Sequence, residues 1–345
     1  MKFSEAVDLF VASRQSEGTS PNTIKNYRVT AEKFLRVVGD VDPIKGPWVN
    51  GETDGGLTAA HMDTFFGAML SEGYAEGTIN VDFSSLSALC KWLRGRKLLG
   101  PDQDPLAGRK ALRFVPRARK RLSMGQIRML LDADLHPRDK ILVSLGMFLF
   151  LRQSEVKVLR VKDLDLETNT LRVTVVKSKK VDYMRLPLEL RPLIREWLTY
   201  YTQRVGPLQP DWYLVPARHH NPFGEDPLKP TKPAGRVSHM VNQALDQIGF
   251  PTKDENGTPL REGMHTLRRS GALLMYRELV ASSEPVDEAM RLVQGMLHHA
   301  SIKTTEHYLG LESVTEARNN ILDDRPLYPS LAQSDTVVPI ELKAV

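Results

Sequence analysis

The chain of 345 residues has a single cysteine, Cys90. One thiol closes no internal disulfide, and there is no Cys-x-x-Cys pair to hold zinc. A disulfide-stapled secreted scaffold is therefore excluded, and a reducing compartment is the default. Long apolar runs are also missing. The longest, Ile141 to Leu151 (ILVSLGMFLFL), is roughly half of what a helix needs to cross a bilayer. The first ten residues, MKFSEAVDLF, carry acids and no signal-peptide core. Internal repeats and low-complexity runs are absent. What remains is 41% apolar and 26% charged, the profile of a soluble globular protein, and the length suits about two domains.

The basic excess is concentrated. Residues 1–108 carry a net −3, and residues 122–345 a net +1. Between them RKALRFVPRARKR, residues 109–121, holds seven basic residues and no acid: Arg109, Lys110, Arg113, Arg117, Arg119, Lys120 and Arg121. A short cationic segment between two folded regions reads as a contact for a polyanion, or as a solvated linker. Fully extended, it would span about 40 Å.

The first hundred residues read as helical. SEAVDLFVASRQ carries an i, i+3/i+4 apolar stripe. SPNTIKNYRVTAEKFLRVV follows, with Ser20 and Asn22 as candidate caps and Pro21 near the first turn. Further helices are expected over Leu57–Ser71, with Thr58 as cap, and Thr78–Leu93. Residues 39–56 read as a loop, and GPDQDPLAG near residues 100–108 as a boundary. The second region opens helical over Ser123–Asp132, Asp139–Leu151 and Gln153–Leu159. TLRVTVV (170–176) then alternates as a half-buried strand does, and YMRLPL (183–188) is its antiparallel partner. Helices resume near 189–204, 236–247, 265–279, 287–297, 302–309 and 313–322. The fold class is mainly α with a small antiparallel β-sheet.

Three stretches carry chemistry. In FLFLRQSEV, Arg152 follows a buried-looking run, where an ionised group needs an anion. Glu155, three residues on, is placed on the same helical face, so the two also read as a structural ion pair. In GMHTLRRSGALLMY, His265 and Arg268 have i, i+3 spacing and together suit a phosphate oxygen; a surface pair has the same spacing. In LHHASIKTTEHY, His299 and Tyr308 lie nine apart and would point in opposite directions on one unbroken helix. Ser301 is a candidate N-cap that would break the helix and bring both to one pocket. Tyr308 also reads as a half-buried core aromatic. A metal site at His298, His299 and His307 is disfavoured, because no acid or cysteine has suitable spacing.

Taken in order, these stretches resemble the tyrosine recombinase (phage integrase) family. FLRQSE resembles its G-L-R-x-x-E box, HTLR its H-x-L-R box, and LHHASIKTTEHY its L-G-H-x-S-x-x-T-T-x-x-Y box, with His298 standing where the family usually has Gly. The resemblance implies a helical, SAM-like core-binding domain over 1–106, a basic linker over 107–121 and a catalytic domain over 122–325. Residues 326–345 would form a tail, readable as a strand exchanged between subunits through VVPIEL or as disordered. It also implies the shorter architecture without an arm-binding domain.

The implied site comprises Arg152, Lys179, His265, Arg268, His299 and Tyr308, with Glu155 in support. The family's lysine commonly lies eight residues before a proline; Pro187 points to Lys179, and Lys177 is second choice. The implied reaction uses no cofactor, no metal and no ATP. Tyr308 attacks a DNA phosphodiester, Arg152 and Arg268 neutralise the phosphoryl oxygens, His265 and His299 add hydrogen bonds, and the lysine protonates the departing 5′ oxygen. The expected partners are double-stranded DNA attachment sites, a tetramer of the chain itself on that DNA, and an accessory directionality factor. No membrane is involved, and the expected location is a bacterial host cytoplasm, on the nucleoid. A phage or mobile-element integrase is the first reading. An Xer-like resolvase or a type IB topoisomerase-like nicking-closing enzyme is the second, and a non-enzymatic DNA-binding protein the third.

Overall fold

A computed structural model describes residues 1–42, 48–49, 52–53, 56–99, 103–113, 120–175, 180–219, 227–253, 257, 260 and 262–311. The chain divides into two compact units, Met1–Ala118 and Arg119–Val345. Lys177, Lys179, Arg117, Arg119, the helix expected over 313–322 and the tail all lie outside the described residues.

The first unit holds helices α1 (Phe3–Ser16), α2 (Pro21–Val38), α3 (Ala59–Ser71) and α4 (Glu76–Gly95). Of the two candidates, Ser20 is the cap of α2: its hydroxyl accepts the Thr23 amide at 3.2 Å, with Pro21 in the first turn. The helices close on an aromatic core in which Phe3 stacks on Phe34 with centroids 4.4 Å apart, and Phe10, Phe65 and Phe66 are buried. One buried carboxylate, Asp82, is matched by Thr30 at 2.7 Å and Lys33 at 2.8 Å, which offsets its desolvation. Strands β1 (Trp48–Val49) and β2 (Glu52–Thr53) pair antiparallel within the span expected to be loop.

The second unit begins with α5 (Met124–Asp132), whose capping box joins Ser123 and Gln126. Helix α6 (Pro137–Phe148) follows. It is apolar nearly all round because it is the buried centre of the unit: Ile141, Leu142, Val143, Leu145 and Met147 are all enclosed. The apolar run does not continue as helix to Leu151. It stops at Phe148, Phe150 turns to φ +52°, and a separate short helix, α7 (Gln153–Val156), starts after Arg152 and ends before Leu159. Strands β3 (Leu164–Asp165), β4 (Thr170–Val175) and β5 (Lys180–Arg185) form one antiparallel sheet in the order β3-β4-β5. The return strand therefore starts three residues earlier than expected. Its residues are largely exposed, with only Met184 buried, so backbone pairing to β4 sets its limits and apolar alternation does not. Helix α8 (Leu190–Val205) buries Trp197 and Tyr201 against this core.

Strands β6 (Pro216–Arg218) and β7 (Leu228–Pro233) form a pair that sequence periodicity did not signal, because β7 carries two prolines. Helices α9 (Val237–Gln247), α10 (Met264–Ala281), α11 (Val286–Leu297) and α12 (Ile302–Leu309) complete the described residues. Among these, no helix is long and apolar enough to cross a membrane.

Helices α6 and α10 approach closely through small residues. A methyl group on Gly271 would overlap the Met147 carbonyl, and one on Gly146 would overlap the Met264 sulfur and press on Leu267. Gly67 on α3, by contrast, has open space around it. Gly271→Ala should therefore destabilise the protein by about 1–3 kcal/mol, the usual cost of overpacking. Gly67→Ala should stabilise it by about 0.4–1 kcal/mol through the unfolded chain. Opposite shifts in thermal or urea unfolding midpoints check both.

Candidate active site

The break between α6 and α7 makes the first half of the site. Arg152 is not on the same helical face as Glu155; it is the N-cap residue, and Glu155 is the third residue of α7. The Glu155 carboxylate, 1% exposed, takes the Arg152 backbone amide at 2.7 Å on one oxygen and its guanidinium at 2.8 Å on the other. This double grip holds Arg152 with its side chain 22% exposed.

Arg268 enters from α10, whose first turns are packed against α6. It is 1% exposed and donates to the carbonyls of Phe150 and Leu297. Arg152 donates to the same Leu297 carbonyl at 3.2 Å. Leu297 ends α11, where carbonyls lack helical partners and the helix dipole is negative. One helix terminus and one carboxylate thus hold two guanidinium groups side by side, with Arg268 and Glu155 4.0 Å apart. Burial, reinforced by repulsion from Arg152, lowers the Arg268 pKa to about 10, while Tyr308 and Glu155 oppose the shift.

The third stretch bends as Ser301 suggested. Helix α11 ends at Leu297, His298 adopts the left-handed conformation (φ 51°, ψ 43°), and the Ser301 hydroxyl caps α12 by accepting the Thr304 amide at 3.3 Å. His299 and Tyr308 consequently meet edge to face, with ring centroids 5.2 Å apart and planes at 81°. The Tyr308 hydroxyl donates to the His265 carbonyl at 3.3 Å, and the Arg268 guanidinium carbon lies 5.9 Å from the Tyr308 ring centre. His265 is exposed within the otherwise buried first turn of α10, whereas Arg268 is buried, so the pair does not share a surface face. The structure thus gathers Arg152, Glu155, His265, Arg268, His299 and Tyr308 in one place.

Sequence reasoning missed three supporting groups. Thr305, fully buried, bonds the His299 ring at Nδ1 at 3.2 Å; Gln294 donates to the His299 carbonyl at 3.0 Å. The Leu297 carbonyl, shared by both arginines, has no side-chain signal at all.

The ends of the basic segment are anchored. Arg109 pairs with Asp63 and lies over the Phe66 ring at 4.7 Å, while Asn80 bonds the Leu112 amide and carbonyl at 2.8 and 3.0 Å. In the second unit, the Leu122 amide donates to Ser270 at 2.9 Å, and Arg269 donates to the Lys120 carbonyl at 3.1 Å. The Arg121 guanidinium lies where a side chain on Gly310 would have to go. Lys110, Arg113 and Lys120 are exposed.

A lowered pKa on a cation means that folding opposes its charge. The cost is complete below about pH 10, hence at neutral pH, and fades only as pH rises toward the ordinary guanidinium value. An oxyanion in the pocket relieves it. Inorganic phosphate should therefore raise the melting temperature of the protein at pH 7, and Arg268→Met should abolish that rise. Unfolding scans with and without phosphate measure both.

The phage integrase family matches residues 120–313 of the chain. The tyrosine recombinase XerA of Pyrococcus furiosus is 25% identical over 309 residues, covering 88% of this chain and 89% of that protein. The tyrosine recombinase XerC of Shewanella amazonensis is 26% identical over 297 residues, covering 85% and 86%. Among solved structures, a lambda integrase(75-356) dimer bound to a COC′ core site superposes with a TM-score of 0.64 at 16% identity, over 90% of this chain and 95% of that one, which shows a common fold. With more than half its length inside the family match and full-length relatives at this similarity, the chain belongs to the phage integrase family and is a site-specific recombinase of the tyrosine type.

Proposed function

We propose that this recombinase cuts and rejoins double-stranded DNA with Tyr308 as nucleophile. The observation that carries the assignment is the meeting of the Tyr308 ring with His299, edge to face, beside the buried Arg268. A phenol holds its proton at neutral pH, so it becomes a nucleophile only where the developing phenolate is stabilised. Two guanidinium groups supply that field and hold the phosphoryl oxygens, the electrostatic task that a metal ion performs in many nucleases. Arg152 stays outward because Glu155 grips it, which supports Glu155 as a positioning residue. His299, oriented by Thr305, and His265 hydrogen-bond the phosphate and move protons. Lys179, or in second place Lys177, protonates the departing 5′ oxygen. The P–O bond to that oxygen breaks as the Tyr308 O–P bond forms, leaving a 3′-phosphotyrosyl strand and a free 5′ hydroxyl. Bond energy is conserved, so the strand rejoins without ATP.

The substrate in this reading is a pair of attachment sites of a phage or other mobile element, held by a tetramer with an accessory directionality factor. Lys110, Arg113 and Lys120, exposed in the segment that enters the catalytic unit, suit phosphate contacts that give affinity without sequence information. The XerA and XerC relatives favour a second reading, an Xer-like resolvase with the same chemistry.

Incubation with supercoiled plasmid bearing the DNA that flanks the gene, stopped with detergent, tests the nucleophile. The wild type should leave protein on the 3′ end and a 5′ hydroxyl that a kinase can label; Tyr308→Phe should leave neither. Adducts formed by Tyr308→Phe would contradict the assignment. Arg268→Lys should slow adduct formation by about 10²–10³-fold, the effect of losing one preorganised donor. Neutralising Lys110, Arg113 and Lys120 should flatten the dependence of log K on log salt by about 0.9 for each phosphate no longer neutralised, which binding titrations read.

A further inference from the structure

Arg121 belongs to the second unit, where its backbone is pinned on both sides to α10. Ahead of it, the Lys120 carbonyl accepts the Arg269 guanidinium at 3.1 Å. Behind it, the Leu122 amide donates to the Ser270 hydroxyl at 2.9 Å, and the Leu122 side chain is buried in the core. Arg269 and Ser270 are the two residues that follow Arg268, and both are firmly held. The Arg269 side chain, 5% exposed, pairs with Glu262 at 3.2 Å, and the Ser270 hydroxyl donates to the Thr266 carbonyl at 2.8 Å.

The partly buried side chain of Arg121 reaches the turn that ends α12. A methyl group on Gly310 would fall 2.7 Å from its guanidinium carbon and would overlap one of its nitrogens. Gly310 closes the helix in the left-handed conformation (φ 73°, ψ 24°), and the Leu311 amide returns to the Glu306 carbonyl at 3.0 Å. The last carbonyls of a helix make its end negative, which favours a cation there. Tyr308 lies two residues before this turn. Its helix needs such a fixing, since eight residues are too few to hold a helix alone and only Thr305 and Leu309 of α12 are buried.

We propose that Arg121 is a positioning residue for Tyr308. Its backbone is tied to the helix of Arg268 and its guanidinium is seated on the end of the helix of Tyr308, so it sets the nucleophile against the phosphate pocket. The inference rests on the reading of Tyr308 as nucleophile. It separates Arg121 from Lys110, Arg113 and Lys120, which are exposed and suit phosphate contacts. Arg121 touches no reacting atom; it acts through α12.

The test separates the rate of the chemical step from DNA affinity. The cleavage site is first mapped by covalent trapping on the flanking DNA, and a duplex carrying it is then mixed with saturating protein. Arg121→Ala should form the adduct about 10–100-fold more slowly than wild type, the scale of effect expected from a misplaced catalytic group. Its dependence of log K on log salt should keep the wild-type slope, which a lost phosphate contact would flatten by about 0.9. Arg121→Lys keeps the charge without the planar head, so its rate should fall between the two at wild-type affinity. Gly310→Ala displaces the guanidinium and should also slow the adduct. The double variant Arg121→Ala, Gly310→Ala should be no slower than the slower single one, because the overlap is gone. Inorganic phosphate should still raise the melting temperature of Arg121→Ala at pH 7, since Arg152 and Arg268 keep their own holds. A wild-type rate for Arg121→Ala, a flattened salt slope, additive losses in the double variant, or a lost phosphate effect would each overturn the proposal. Tyr308→Phe is the separate control: adducts from it would overturn the nucleophile, whereas a wild-type rate for Arg121→Ala beside an inactive Tyr308→Phe overturns only the role of Arg121. If Arg121→Ala does not fold, Arg121→Lys carries the test, with wild-type affinity and a slowed rate as the expected result and a wild-type rate as the contrary one.

Discussion

The interaction on which the site depends is the hold of two backbone carbonyls on a buried guanidinium. Arg268 is almost wholly enclosed, and its donors meet the carbonyls of Phe150 and Leu297. Those carbonyls are available because two helices stop where they do. Helix α6 ends at Phe148, two residues before Phe150, and α11 ends at Leu297 itself. The close approach of α6 and α10 through Gly146 and Gly271 brings the guanidinium to them. Carbonyl dipoles satisfy its hydrogen bonds without cancelling its charge. A carboxylate in contact would have done both, and Glu155 stands 4.0 Å off while its tightest bonds go to Arg152.

This division of labour leaves a pocket with net positive charge, held by backbone carbonyls and one carboxylate. Such a field is worth more in a low-dielectric site than in water, and it costs no reorganisation when charge develops. It also explains the arrangement of the third stretch. The bend between α11 and α12 delivers the Leu297 carbonyl, the His299 ring and the Tyr308 ring within a dozen residues of one another. A single continuous helix would have separated them.

Much of this was legible in the sequence, and the reasons are local. Ser301 announced a helix start because capping is a short-range interaction. The apolar run from Ile141 announced a buried helix, although its last residues turned out to be the break that carries Arg152. What was not legible depended on backbone groups or on distant partners. No residue type marks Leu297 as a shared acceptor. The bond from His298 to Asp182 spans the unit. Strand β5 is held by pairing and exposes most of its side chains, so its start at Lys180 left no alternation to read. Prolines disguised β7. The small pair β1 and β2 did have a signal, since Asn50-Gly51 lies between its strands in the sequence and is a strong hairpin dipeptide, but the surrounding Gly, Pro and Asp masked it.

The most direct measurement is mass spectrometry of the trapped protein–DNA adduct after digestion with trypsin and nuclease. The expected product is a nucleotide joined through its 3′ phosphate to Tyr308, in the peptide that follows Lys303. A nucleotide on any other residue would contradict the assignment of Tyr308 as the nucleophile, and one joined to Tyr308 through a 5′ phosphate would contradict the departure of the 5′ oxygen.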